Sequence, residues 1–253
     1  MSAKNVVEAA KRLAARQAVD QQITPLLKTH AVVGIGSGST VVYAVERLVE
    51  VVKESPNNLS GKIFCIPSSF QATQLITEAA PYLVLSNLST HPKIDVGIDG
   101  ADEVDKNMIL IKGGGGCLTQ EKIVAFCCKK FVIVADYRKK SEFLSEQWKR
   151  GIPIEVIPLA LKPVQMYLED LVKGSDAKLR MAVAKAGPVV TDNGNFLIDW
   201  IGFEEKCDMD LLHEKLVRVP GVVDSGIFSQ GMADCAYFGM EDGSVSYREL
   251  EKK

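Results

Sequence analysis

Apolar positions recur along this chain in two alternating patterns. Val6, Ala10, Leu13 and Ala14 share one helical face, which predicts an opening helix to about Gln21, broken at Thr24-Pro25. Short apolar runs then alternate with longer helical stretches: Ala31 to Ile35 before Val41 to Val52, Ile63 to Ile66 before Phe70 to Ala80, and later Phe131 to Ala135. Alternation of this kind builds a parallel sheet covered by helices. After about Gly151 the pattern changes. Ile152 to Leu159 reads as extended, Pro163 to Lys173 as helical, and Leu179 to Ala184 as extended again. Val189 to Asp192 and Phe196 to Trp200 flank Asn193-Gly194, a strong hairpin signal. Asp208 to Arg218 predicts a further helix, and the apolar stretches from Val222 through Phe238 are expected to return to the large sheet.

Composition narrows the function classes. The 253 residues are 47% hydrophobic and 25% charged, values of a globular chain. The net charge of −2 is spread without a basic stripe, which argues against a nucleic-acid partner. The six cysteines, at 65, 117, 127, 128, 207 and 235, form no CxxC pair, and there are only three histidines. Neither a metal cluster nor a disulfide framework is expected, and Cys65, Cys127 and Cys128 read as small buried residues of a reducing compartment. No apolar run approaches the roughly 20 residues a membrane span needs. The expectation is a soluble, cytoplasmic protein without a membrane partner.

Three stretches carry chemistry. Gly34-Ile35-Gly36-Ser37-Gly38-Ser39-Thr40 leaves a predicted strand and enters a helix, where backbone N–H groups and hydroxyls suit a phosphate. It is no dinucleotide fingerprint, since position 39 is serine, and no Walker loop, since no Gly-Lys-Ser/Thr closes it. A plain tight turn is the simpler alternative. The second stretch, Asp99-Gly100-Ala101-Asp102-Glu103-Val104-Asp105, sets four carboxylates in seven positions after the run Ile94 to Ile98. Crowded like charges at a strand end raise carboxylate pKa values, which suits proton exchange near neutrality. An acidic surface turn or a Mg²⁺ site are the alternatives. The third is Lys112-Gly113-Gly114-Gly115-Gly116, following Met108 to Ile111 and leading to Glu121 in the first turn of a helix through Cys128. Four glycines suggest close approach of backbone to a ligand, and Glu121 could equally serve the helix dipole. If all three follow strands of one parallel sheet, they converge on one crevice. The set fits proton abstraction beside a carbonyl of a phosphorylated sugar and calls for no metal or cofactor.

These segments, GIGSGST, DGADEVD and KGGGG running into LTQEKI, resemble the signatures of the ribose-5-phosphate isomerase A family. VIVADYRKKS, GIPIEVIPLA, LRMAVAKAGPVVTDNGNFLIDW and PGVVDSGIF extend the resemblance over essentially the whole chain. It implies an α/β fold with a Rossmann-like parallel-sheet domain over 1–151 and 225–253 and an inserted ferredoxin-like α+β domain over 152–224. It also implies interconversion of ribose 5-phosphate and ribulose 5-phosphate through a cis-enediolate in the non-oxidative pentose phosphate pathway, and a homodimer or larger assembly. Carried over by position, Ser37, Gly38, Ser39 and Thr40 bind substrate, and Asp99, Gly100, Ala101, Asp102, Lys112, Gly113, Gly114 and Gly115 line the sugar site. Glu121 is the proton acceptor, with Asp99, Asp102 and Lys112 assisting, and Lys139 is a further substrate-binding lysine, otherwise readable as a solvated charge. The chain departs from the family at Phe228 to Ala233, outside the expected site. Other readings are a non-catalytic sugar-phosphate sensor, a sugar-phosphate deaminase/isomerase and a CoA transferase on a related fold.

Overall fold

The computed structural model describes residues 3–27, 30–55, 59–203 and 207–250. In chain order the first elements are α1 (Ala3–Ala18), β1 (Ala31–Ile35), α2 (Ser39–Glu54), β2 (Ile63–Pro67), α3 (Phe70–Glu78), β3 (Leu83–Leu85) and β4 (Val96–Asp99). Next come β5 (Glu103–Val104), β6 (Leu110–Ile111), α4 (Leu118–Cys127), β7 (Phe131–Asp136), β8 (Ile152–Val156), α5 (Leu161–Leu171), β9 (Asp176–Leu179) and β10 (Phe196–Ile201). The last are α6 (Met209–Val217), β11 (Val222–Ser225), β12 (Ile227–Phe228), β13 (Cys235–Gly239) and β14 (Val245–Glu249). The opening helix runs on as a π turn, Val19–Ile23, and a 3-10 turn, Thr24–Leu26, where Pro25 ends it.

The chain divides into two compact units, Met1–Ala101 with Gln120–Lys140 and Gly231–Lys253, and Asp102–Thr119 with Ser141–Gln230. The first is built on a seven-stranded sheet of order β14-β13-β7-β4-β1-β2-β3, parallel except for the β13–β14 pair. Because helices cover both faces, its central strands are mostly apolar, and every residue of β1 and β7 is buried. Alternation sorts the two faces. Ala31, Val33 and Ile35 pack with α1, α2 and α3, whereas Val32 meets Val124 of α4. On the α4 side the sheet carries glycines where a side chain would not fit. A Cβ on Gly34 would stand 2.8 Å from Val124 Cγ1, and one on Gly97 would stand 2.5 Å from Cys128 Sγ. The helix therefore seats directly on the sheet. Burial pushes the Cys65 and Cys128 thiols up to about 12, which keeps them in the unreactive protonated form.

The second unit contains an antiparallel sheet of order β11-β8-β10-β9. The path β8-α5-β9-β10-α6-β11 is the split βαβ arrangement of ferredoxin-like domains. Ile152, Ile154, Val156, Ile198 and Trp200 turn one face toward Val164 and Leu168 of α5 and Leu212 and Leu216 of α6. A three-stranded sheet, β12-β6-β5, completes the unit.

Several local expectations change here. The units are cut differently from the division at 151 and 225, because β5, β6 and β12 pair among themselves and Ile111 and Ile227 join the core of the second unit. Strands of two residues leave no periodic trace in a sequence. Met108 to Ile111 accordingly ends in an antiparallel strand and not in the large parallel sheet. Of the stretches from Val222 to Phe238, only Cys235–Gly239 joins the seven-stranded sheet. Asn193-Gly194 does sit in a turn, closed by Thr191 N–H donating to Asn195 O at 2.9 Å. Val189 to Asp192 nevertheless forms no ladder with β10, whose two edges are taken by β8 and β9.

Gly97→Ala is expected to destabilise the protein by about 1 to 3 kcal/mol through overpacking against Cys128, read as a lowered urea midpoint with unchanged slope.

Candidate active site

In the first unit, β2 and β3 lie to one side of β1, and β4, β7 and β13 lie to the other. Strand order thus reverses between β1 and β4, where Ile35 pairs with Ile98, and open α/β sheets bind ligands outside the carboxyl ends of such strands. Two of the three motifs begin there. Gly36 N–H donates to Ile98 O at 2.9 Å, carrying the chain across to β4. The buried Asp99 carboxylate accepts Ser37 N–H at 2.9 Å and Gly100 N–H at 2.7 Å through Oδ1. A Cβ on Gly36 would overlap that carboxylate, so the loop must be glycine at this point. Gly38, at φ 101°, redirects the chain into α2.

Hydroxyls and amides around this loop are paired in a specific way. Ser37 Oγ lies 3.0 Å from Ser68 Oγ and 2.7 Å from Ser69 Oγ, and Gly38 N–H donates to Gln71 Oε1 at 2.8 Å. The amides of Ser37 and Gly38 are therefore committed to side chains and not held open for an anion. The first turn of α2, with Ser39 and the buried Thr40, presents the remaining N–H groups by helix geometry. Lys11 of α1 donates to Ser39 Oγ at 2.9 Å and to Glu8 Oε1 at 2.8 Å, placing an ammonium at the loop. Lys139 ends a short 3-10 turn after β7, which neighbours β4 with Asp99 opposite Ile133. Glu121 is buried in the first turn of α4.

The chain passes into the second unit between Ala101 and Asp102. Asp102 Oδ2 accepts Gly114 N–H at 2.6 Å. A Cβ on Gly114 would stand 2.5 Å from Asp102 Oδ1 and 2.7 Å from the Trp148 ring, and Gly113 has φ 96°, so both glycines are obligatory for the path. Gly115 differs: a Cβ there meets nothing within 4 Å. Lys112 is buried, with its ammonium 5.5 Å from the centre of the Phe228 ring. Phe228, at the head of a stretch expected to lie outside the site, thus supports a candidate site lysine.

The acidic motif divides into two roles. Glu103 is buried and accepts Ser141 Oγ–H at 2.7 Å and the N–H groups of Ser145 and Gln147 at 2.6 Å each. Asp105 Oδ1 accepts the N–H groups of Asn107 and Ile109. These two carboxylates fold loops, and Asp99 and Asp102 face the glycine turns. Sequence reasoning missed Lys11, which carries no local signal on an amphipathic helix. It also missed Ser68 and Ser69, which end an apolar strand as the recognised motifs do.

Glu155 was likewise unmarked. Fully buried on β8, it accepts Thr119 Oγ–H at 2.7 Å, Thr191 Oγ–H at 2.9 Å, Asn193 Nδ–H at 2.9 Å and Asn195 Nδ–H at 2.8 Å. It ties the residue two before Glu121 to the Thr191–Asn195 turn.

The sequence pattern of the family described as ribose 5-phosphate isomerase A (phosphoriboisomerase A) matches residues 64–243. The chain belongs to the ribose 5-phosphate isomerase A family. Ribose-5-phosphate isomerases of Homo sapiens and Sus scrofa are each 52% identical over 248 residues, 98% of this chain and 76% and 77% of the relatives. A solved D-ribose-5-phosphate isomerase in complex with phospho-erythronic acid superposes with TM-score 0.85 at 38% identity, covering 96% of this chain and 99% of that one. Ribose 5-phosphate isomerase A from Methanocaldococcus jannaschii gives 0.83 at 35%, covering 98% and 100%. The chain is therefore a mixed α/β member of an isomerase family along nearly its whole length.

Glu155→Leu, which removes one acceptor from four donors, is expected to cost about 2 to 4 kcal/mol of stability, measured by urea denaturation.

Proposed function

We propose that this chain interconverts D-ribose 5-phosphate and D-ribulose 5-phosphate in the non-oxidative pentose phosphate pathway. The observation that carries the reading is near-full-length identity of about half to ribose-5-phosphate isomerases. That similarity favours an isomerase over a sensor, a deaminase or a CoA transferase.

The furanose opens first, with Asp99 and Asp102 exchanging hydroxyl protons. The Glu121 carboxylate then takes the proton from C2, leaving a cis-enediolate, and returns it to C1. Protons redistribute between O1 and O2, so substrate and product are isomers with no group gained or lost. Lys112 and the Gly115 amide of the glycine turn stabilise the enediolate oxygens, as oxyanion-hole donors do. The α2 N-terminus, the Ser39 and Thr40 hydroxyls, Lys11 and Lys139 hold the phosphate. Anchoring that remote group fixes C1 and C2 against the base. Phospho-erythronic acid, whose carboxylate mimics the two oxygens of an enediolate, suits the same reading.

Incubation of EDTA-treated protein with ribose 5-phosphate in D₂O is expected to yield ribulose 5-phosphate with solvent deuterium on carbon, followed by NMR. Binding without conversion would sink the isomerase reading in favour of a sensor. Glu121→Gln is expected to lower kcat by about 10² to 10⁴ while leaving KM within a few-fold; a near-normal kcat would remove Glu121 as the base.

The reading carries with it a cytoplasmic enzyme working as a homodimer or larger assembly. Ile123 and Phe126, 48% and 85% exposed on α4, support a subunit contact there. Light scattering is expected to return at least twice the chain mass, and Phe126→Glu to lower it.

A further inference from the structure

The face of the β8-β10-β9 sheet turned away from α5 and α6 is not idle. Strand register sets Glu155 of β8 opposite Leu197 of β10, with Arg180 just beyond β9 donating its backbone N–H to Leu197 O. Alternation puts Asp199, two residues on from Leu197, on the same face. Glu155 takes Thr119, Leu197 lies against Gly116, and Pro153, in the next row opposite Asp199, lies against Gly113. The 113–119 segment is therefore seated on this face.

Arg180 holds the glycine turn by its carbonyls. Its Nη1 donates to Gly113 O at 2.9 Å and to Gly114 O at 3.2 Å. Nε donates to Asp199 Oδ2 at 2.9 Å and Nη2 to Asp199 Oδ1. The side chain is 8% exposed and that of Asp199 14%, so the guanidinium is fixed by a two-point fork. In a trans peptide the carbonyl of one residue and the N–H of the next point in opposite directions. Gripping Gly113 O and Gly114 O from one side thus aims the Gly114 and Gly115 N–H groups away from Arg180. The Gly114 N–H meets Asp102 there. The Gly115 N–H borders the open space where a Cβ would touch nothing. A cation on the carbonyl also polarises the peptide and strengthens the next N–H as a donor.

We propose that Arg180, locked by Asp199, is a positioning residue that holds the glycine turn so that the Gly115 amide, polarised through the Gly114 carbonyl, is aimed at the enediolate oxygen. This rests on the oxyanion reading of that turn given above. Lysine cannot replace it, because one ammonium cannot form the carboxylate fork and reach two carbonyls as well.

The test compares wild type, Arg180→Lys and Asp199→Asn for kcat, KM and the dissociation constants of two probes. Phospho-erythronic acid carries a planar carboxylate, and ribitol 5-phosphate shares the phosphate and hydroxyls without one. Both variants are expected to lose kcat by about 10- to 100-fold with KM within about threefold. They should lose affinity for phospho-erythronic acid by a similar factor, with affinity for ribitol 5-phosphate unchanged. The double variant should lose little more than either single one. An unchanged kcat, or equal loss of both ligands, overturns the proposal. If wild type itself shows no preference for phospho-erythronic acid over ribitol 5-phosphate, the oxyanion reading falls and takes the proposal with it. Should Arg180→Lys fail to fold, Asp199→Asn carries the same comparison, since it leaves the guanidinium in place and removes only its fork.

Discussion

A buried carboxylate must be met by donors, and in the first unit this constraint sets the local architecture. Asp99 accepts Ser37 and Gly100 N–H groups through one oxygen, which ties the loop after β1 to the end of β4 at the point where strand order reverses. The close approach requires glycine at 36. With the loop bent onto Asp99, Gly38 turns the chain into α2 and leaves the helix N-terminus, Ser39, Thr40 and Lys11 grouped at the loop. Ser68 and Ser69 complete the hydroxyl cluster behind it.

The second unit repeats the device with other acids. Glu103 gathers the loop through Ser141, Ser145 and Gln147, and Glu155 gathers Thr119 and the Thr191–Asn195 turn. Each is deeply buried and each accepts several donors, so each costs little as a buried charge. The glycine turn is held between Asp102, which takes an amide, and Arg180, which takes two carbonyls. Gly113 and Gly114 are glycines because the path is crowded, whereas Gly115 is glycine beside open space.

Much of this was legible in the chain itself. The strands Ala31–Ile35 and Phe131–Asp136 and the helix capped at Asp208 follow from local periodicity and capping chemistry. The three motifs stood out because glycines and carboxylates crowd at strand ends. The small sheet of β5, β6 and β12 was not legible, since two-residue strands have no period. The failed ladder beside Asn193-Gly194 has a different cause: a turn signal is local, but which strand takes an edge depends on competing partners far along the chain.

Residue type and spacing alone singled out the candidate side chains, from Ser37 through Asp99, Asp102 and Lys112 to Glu121, and the α/β alternation that carries them. Tertiary structure alone decided how they are held. It gave Ser37 N–H to Asp99 across 62 positions and the glycine carbonyls to Arg180 across 67 and 66. It also separated Glu103 and Asp105, which fold loops, from Asp99 and Asp102. The reason is physical: strand propensity and periodicity act over a few neighbours, whereas the partner of a buried polar group is set by strand order and register, which no local pattern encodes.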